Sequence, residues 1–273
     1  MSSSTQFTAR GWSVPDFDVE FLHERRTRYA VVIPVMNEGD RIRSQLKRMQ
    51  TLGLHHEADI VIADGGSTDG STDLELLGSL GVRACLIKRG PGALSAQLRC
   101  AYAWVLDQGY EGVVTIDGNG KDGVESLPQF LSALDSGFGY AQASRFIRGG
   151  HEENTPWLRS LAIRLIHAPV LSLAAGRWFS DTTQGYRAYS RDYLLDRRVQ
   201  PFRDVFIRYE LLAYLTVRAS QLGYRVREIP TSRVYPKGEA IPTKIRGLRP
   251  LIDLLVVLWR TVSGGYHPKS VHA

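Results

Sequence analysis

The stretch ADIVIADGGSTDG, residues 58–70, decides the fold. A near-continuously apolar run, ADIVIA, breaks at Asp64 into glycines, hydroxyls and a second aspartate. An apolar run without alternation reads as a strand buried on both faces. Four more such runs accompany it: YAVVIPV (29–35), VRACLI (82–87), GVVTI (112–116) and YAQASRF (140–146). Between them, RIRSQLKRMQTL puts Ile42, Leu46 and Met49 on one face, and ALSAQLRCAYAWVL does the same for Leu94, Leu98, Ala101 and Val105. Strands alternating with helices predict right-handed βαβ units, and so an α/β fold with a mostly parallel sheet flanked by helices.

Ligands of such sheets bind at the C-terminal strand ends. Here the strands end in PVMNE (34–38), ADGGSTDG (63–70) and TIDGNGKD (115–122). One such turn is ordinary, since Asn, Asp and Gly are turn formers; three at successive strand ends predict a site. Asp64 can accept hydrogen bonds from a ribose hydroxyl or a base amide, and the glycines beside it let the backbone approach a flat ring. The stretch is neither a GxGxxG fingerprint nor a Walker A loop, which argues against dinucleotide and P-loop sites. Asp117, with the carboxamide of Asn119 two residues on, suits a hard divalent cation, Mg2+ or Mn2+, or else a plain Asx turn. Arg145, Arg148, Arg187, Arg233, Lys237, Lys244 and Arg246 carry charges that suit phosphate, or coat a solvated face.

The chain of 273 residues holds 34 Lys+Arg and 28 Asp+Glu, a net +6, and is 43% apolar, which excludes wholesale disorder. That charge is unevenly spread: residues 1–150 carry 15 basic against 18 acidic side chains, the remainder 19 against 10. A basic second half admits a nucleic-acid partner, but no nucleic-acid motif accompanies it. Cys85 and Cys100 are too few for a disulfide framework or a structural zinc site, and a reduced cytosolic compartment is the simplest setting. The first twenty residues lack the apolar core of a signal peptide. A membrane-spanning helix is not expected either, since the longest candidate, PLIDLLVVLW (250–259), contains Asp253.

Beyond residue 150 the regularity fails. A helical stretch over 157–175 is interrupted at Pro169, a second helix is expected over 205–222, and a final apolar one over 248–262. This divides the chain into an N-terminal extension (1–26), two halves of one domain (27–150 and 151–247) and a C-terminal helix with its tail (248–273). About twenty residues at the start and eight at the end are expected to be loosely ordered. In the last helix Leu251, Leu254, Leu255, Leu258 and Val262 form an apolar stripe near Arg246, Arg249 and Arg260. An interfacial helix on an anionic membrane has this pattern, and so does a core or dimer helix.

Taken together, these residues resemble the family 2 inverting glycosyltransferases of GT-A fold, most of all the branch with dolichol-phosphate mannose synthase and bacterial polyprenyl-phosphate sugar transferases. Val32 to Glu38, Ala63 to Gly70, Arg89-Gly90-Pro91-Gly92-Ala93, Ser144-Arg145-Phe146 with Gly149-Gly150, and Asp181 to Arg187 match that family's motifs in order. The resemblance implies transfer of a hexosyl or N-acetylhexosaminyl group, with inversion, from a nucleotide-diphosphate sugar. Pro34, Val35, Met36, Asn37, Glu38, Asp64, Gly65, Arg89, Gly92, Asp117, Gly118 and Asn119 would bind the donor. Asp117 and Asn119 would hold Mg2+ or Mn2+. Here the sequence departs from the family's DxD, since Asn119 replaces the second Asp, and Asp122 is the alternative ligand.

The acceptor is either a polyprenyl or dolichyl phosphate, held by Arg145, Arg233, Lys237 and Lys244, or a soluble sugar hydroxyl. A phosphate is already anionic near pH 7 and needs no base; a hydroxyl needs one, Asp181 first and Glu210 second, with Arg187 beside them. A nucleotide- or nucleic-acid-binding protein without transfer activity is the remaining reading. The expected partners are therefore a donor, an acceptor, a membrane surface reached from the cytoplasmic side and another copy of the chain, not a nucleic acid.

Overall fold

A computed structural model describes residues 7–236 and 248–268. In chain order the strands are β1 (Phe17–Phe21), β2 (Tyr29–Val35), β3 (Asp59–Asp64), β4 (Val82–Lys88), β5 (Gly112–Thr115), β6 (Tyr140–Ser144), β7 (His151–Glu153), β8 (Arg187–Ser190), β9 (Val226–Pro230) and β10 (Ser232–Val234). The α-helices are α1 (Asp40–Thr51), α2 (Leu74–Ser79), α3 (Leu94–Asp107), α4 (Leu127–Asp135), α5 (Trp157–Ala162), α6 (Ala168–Ala175), α7 (Arg191–Leu195), α8 (Glu210–Gln221) and α9 (Leu248–Val262).

Eight strands form one sheet in the order β1-β4-β3-β2-β5-β8-β6-β9, and β7 pairs with β10 in a separate ribbon. All five strands expected from the apolar runs are present, and β4, β3, β2 and β5 run parallel. β8 is antiparallel to both neighbours, β5 and β6, so the second half of the chain threads into the sheet of the first. Alternate side chains serve two cores. Val31, Ile33 and Val35 pack with Ile42 and Leu46 of α1 and Phe130 of α4, while Ala30 and Val32 pack with Leu98 and Ala101 of α3. Cys85 is buried, as its apolar surroundings imply.

The structure departs from several expectations. Most of the N-terminal segment expected to be loose is ordered. Phe7 is buried, Trp12 stacks on Phe202 at 4.2 Å, and β1 closes the sheet antiparallel to β4. At the other end Tyr266 is buried against Phe206. The interruption near Pro169 is a π turn over Ile163–His167 that joins α5 to α6, with Pro169 in the first turn of α6, where a missing N–H breaks no helical bond. The span Trp157–Ala175, 19 residues, is long and apolar enough by composition to cross a membrane, because only Arg159 and Arg164 interrupt it.

The helix expected from residue 205 starts at Glu210. Of the stripe expected in α9, Leu258 faces inward, Leu254 is half-buried, Leu255 and Val262 are exposed, and the Leu251 side chain lies outside those described; Ile252, Val256 and Trp259 are exposed as well.

Candidate active site

The order of the strands locates the site. From β2 the chain moves to β3 and β4 on one side, then returns to place β5 on the other. The crevice between the ends of β2 and β5 is the switch point where open α/β sheets bind ligands. The turn after β5 lies hard against the end of β2: a Cβ on Gly118 would stand 2.9 Å from the Pro34 carbonyl oxygen.

On the β2–β3 side the two strand-end loops are sewn together. Asn37 adopts a left-handed backbone, φ 55°, which short polar side chains tolerate best. Its N–H donates to Ser67 Oγ at 3.0 Å, and its Oδ1 accepts from the Thr68 N–H at 2.8 Å. The Ser67 N–H donates to both oxygens of the buried Asp64, at 3.0 and 3.1 Å. Asp69 accepts from the Gly39 N–H at 3.0 Å and from the Ser71 hydroxyl, and that hydroxyl bond holds its carboxyl below the usual range. Beneath, the Gln97 amide of α3 donates to the Val35 carbonyl at 2.9 Å and to that of Ala63. Met36 stays exposed against Gly65, and Glu38 pairs with Arg41 at 3.1 Å. Pro34, Val35, Met36, Asn37, Glu38, Asp64 and Gly65 thus lie together at the β2 and β3 strand ends, with Val35 and Asp64 buried.

On the β5 side Asp117 remains a quarter exposed. A methyl group at Gly185 would collide with its Oδ1, so the 181–187 loop seats this carboxylate. Its Oδ2 faces Arg233 Nη2 at 3.4 Å and the Asn119 amide at 3.4 Å. The Asn119 carbonyl accepts from the Lys121 N–H at 3.2 Å. Asp122 is not a spare metal ligand: it is fully buried, and Arg233 Nη1 binds both its oxygens at 2.6 and 2.7 Å. Burial would lower the pKa of Arg233, but Asp122 and Asp117 raise it instead. Among the described residues no group of three or more His, Cys, Asp or Glu side chains could hold a metal ion. The available donor set is the Asp117 carboxylate and the Asn119 side-chain oxygen, which faces the Lys121 N–H; with that amide turned toward Asp117, the pair fits Mg2+ or Mn2+ completed by substrate phosphates.

The second half supplies a buried frame. Arg145, at the end of β6, binds Asp181 through Nε at 2.7 Å and Nη2 at 3.3 Å, with both side chains sealed from solvent. Asp181 also accepts from the Thr183 N–H and hydroxyl and from the Gln184 amide. Burial would raise its pKa, but Arg145 and these donors hold it below the usual value. Arg145 is therefore the partner of Asp181, and Arg187 is not. Arg187 spends its guanidinium on the carbonyls of Gln184, Leu212 and Thr182 and on Thr216.

Glu210 lies apart from this frame and accepts from the Ile207 and Arg208 N–H groups at the start of α8. Arg89 pairs with Asp18 of β1 at 2.7 Å. Gly92 packs on Ala96 near Ile207, and the Ala93 N–H donates to the Ile207 carbonyl, so this loop joins the N-terminal segment rather than the Asp117 turn. Neither Arg145 nor Arg233 offers a free charge to a phosphate, and Lys237 and Lys244 lie outside the described residues.

Several participants escaped sequence reasoning. Gln97 sits in an apolar helix with no motif around it. Glu228 accepts from the Ser180 N–H at 2.8 Å and hydroxyl at 2.7 Å, which anchors the Asp181 loop. Lys121 lies inside the 115–122 stretch, and Tyr235 directly follows β10. Lys121 Nζ stands 5.0 Å from the centre of the Tyr235 ring, with Arg159 and Arg233 over the same ring, both at 5.8 Å.

No family model matches the chain. A polyprenol monophosphomannose synthase from Mycolicibacterium smegmatis is 31% identical over 211 residues, 74% of this chain and 76% of that one. An undecaprenyl-phosphate mannosyltransferase from Micrococcus luteus is 27% identical over 76% of this chain and 84% of its own length. The fold is that of glucosyl-3-phosphoglycerate synthase from Mycobacterium tuberculosis. Its complex with Mn2+, UDP and phosphoglyceric acid matches 90% of this chain and 80% of that one, with a TM-score of 0.61 and 17% identity.

Proposed function

Because the chain belongs to the family 2, GT-A-fold glycosyltransferases that use polyprenyl phosphates, we propose that it transfers a sugar from a nucleotide-diphosphate donor to a polyprenyl phosphate with inversion. The observation that supports this most is a juxtaposition at one sheet edge. Asp117 and Asn119 stand beside the sewn Asn37–Asp64–Asp69 surface, and Arg159, over Tyr235, carries the rim onward to α5. In this reading Asp64 and Glu38 serve the nucleoside, while Asp117 and Asn119 hold Mg2+ or Mn2+. The metal, when bound, neutralises charge on the departing diphosphate.

The acceptor phosphate attacks the anomeric carbon from the face opposite the diphosphate. The new bond is sugar C1 to phosphate oxygen, and the broken one is C1 to diphosphate oxygen. An anionic phosphate needs no deprotonation, so Asp181 acts here as a positioning residue: with Arg145 it fixes the loop on which Asp117 rests. Arg159, exposed on the first turn of α5, is the cation best placed for the acceptor.

Peripheral attachment to a membrane fits the same geometry. Trp157, Leu158, Leu161, Leu165 and Ile166 are exposed on the span running from α5 into the π turn, and α9, which packs against α6, exposes Ile252, Leu255, Val256 and Trp259. Apolar faces bearing tryptophan and flanked by arginine suit the interface of an anionic bilayer. The test is incubation with Mn2+, a short-chain polyprenyl phosphate and each of the UDP-, GDP-, TDP- and CDP-sugars, with products read by mass spectrometry. A glycosylated lipid phosphate from one donor is the expected result; no product from any of them overturns the reading.

A further inference from the structure

A buried charge beside Asp117 and Asn119 has no part in the chemistry above. Lys121 is 7% exposed, and its ammonium finds no hydrogen-bond acceptor among the described residues. Its backbone is pinned on both sides. The Gly120 N–H donates to Gln45 at 3.0 Å, and the Val234 N–H donates to the Lys121 carbonyl at 2.9 Å. The lysine therefore cannot drift from its place two residues after Asn119. Its stem and ammonium lie over Tyr235.

The local charges do not balance. Asp122 is taken by Arg233, which also faces Asp117, whereas among the described residues neither Lys121 nor Arg159 has an ion-pair partner. A cation so largely covered, with no ion-pair partner of its own among the described residues, suits a site that an anion completes. The anion available beside Asp117 is the diphosphate of the donor.

We propose that Lys121 is a resident cation of the donor diphosphate site, contacting the phosphate oxygens next to the metal held by Asp117 and Asn119. This rests on the donor reading above. It also accounts for a weakened metal site. With an amide where a second carboxylate would add charge, part of the leaving-group neutralisation passes to a fixed ammonium already in place, which costs no reorganisation as charge develops. The phosphate of the acceptor offers the same chemistry, so the test must separate the two.

The experiment compares the wild type with Lys121→Gln and with Lys121→Met, which keeps the apolar stem on Tyr235, and checks folding by thermal unfolding. UDP, GDP, TDP, CDP and the matching monophosphates are titrated calorimetrically in EDTA, a short-chain polyprenyl phosphate is titrated separately, and Mn2+ affinity is read by electron paramagnetic resonance. Loss of one charge-assisted contact should weaken the preferred nucleoside diphosphate about tenfold or more. The monophosphate and the lipid phosphate should bind as in the wild type. Mn2+ should bind more tightly, because a like charge has gone from its surroundings. Lys121→Arg should recover most of the diphosphate affinity. Diphosphate binding within twofold of wild type in a folded variant overturns the assignment, as does a loss confined to the lipid phosphate. If the wild type binds none of the four diphosphates even with Mn2+ present, the donor reading itself falls and takes this proposal with it.

Discussion

Asp181→Ala separates a catalytic base from a positioning residue. The wild-type carboxylate is sealed and accepts five hydrogen bonds: two from Arg145 at 2.7 and 3.3 Å, two from Thr183 at 3.1 and 3.0 Å, and one from Gln184 at 3.0 Å. Its removal leaves Arg145 as a buried cation held by little beyond the Thr183 hydroxyl. Breaking a buried pair in this way costs about 3–5 kcal/mol. At roughly 2–4 °C per kcal/mol for chains of this size, the melting temperature should fall by on the order of 10 °C. The pair Arg145→Met with Asp181→Leu, which removes both charges, should recover most of that loss, since apolar replacements of buried ion pairs are often near neutral.

The pH dependence has a definite sign. The folded carboxyl titrates below its usual value, so its stabilising contribution is complete above about pH 4 and is lost as pH falls further. The gap between wild type and Asp181→Ala should therefore stay constant from pH 8 to pH 5 and close only in stronger acid. Differential scanning calorimetry measures this, alongside sugar transfer assayed well below both melting temperatures. An Asp181→Ala protein that melts like the wild type yet loses turnover more than about a thousandfold would refute the positioning role and restore the base.

Asp117→Ala should cut turnover about a hundredfold or more while leaving the melting temperature nearly unchanged, because this carboxylate is partly exposed; steady-state transfer rates and thermal unfolding check both. Gly185→Ala should also lower turnover, since the added methyl displaces the Asp117 carboxylate, and a variant of wild-type rate would show that the loop does not seat it. Trp157→Glu combined with Trp259→Glu should weaken binding to anionic vesicles more than tenfold in a flotation assay and leave nucleoside diphosphate binding intact. His167, pushed down to about 4 by burial and by Arg187, shares a hydrogen bond with Thr182, so His167→Gln should leave the shape of the pH–rate profile between pH 5.5 and 8 unchanged.

The parallel strands and the three strand-end loops were legible because both signals are local. Continuous Val and Ile runs mark buried strands, and turn residues mark their ends. What escaped was non-local. Asp122 and Arg233 are 111 residues apart, and Arg145 and Asp181 are 36 apart, so no spacing rule links them. Two cations assigned to the acceptor were for that reason already spent on carboxylates. FDVEF carries no clear strand signal, because alternating charge and a phenylalanine at each end resemble a solvated tail until β4 offers its edge. The phase of α9 depended on which face met α6, and composition alone leaves that open.

The antiparallel insertion of β8 bears on how this chain can be divided. Its carboxylate-rich and arginine-rich portions invite separation near residue 150, but the hydrogen bonds do not respect that line. β5 completes its outer edge only with β8, and β6 is enclosed by β8 and β9. A fragment ending at residue 150 would carry a naked edge on β5 and a stranded β6, the geometry that seeds intermolecular pairing. The unlike charges are thus woven into one fabric. A recombinant or evolutionary exchange of the arginine-rich portion would have to carry β8 and β9 with it, and would succeed only where the incoming strands match the register of β5.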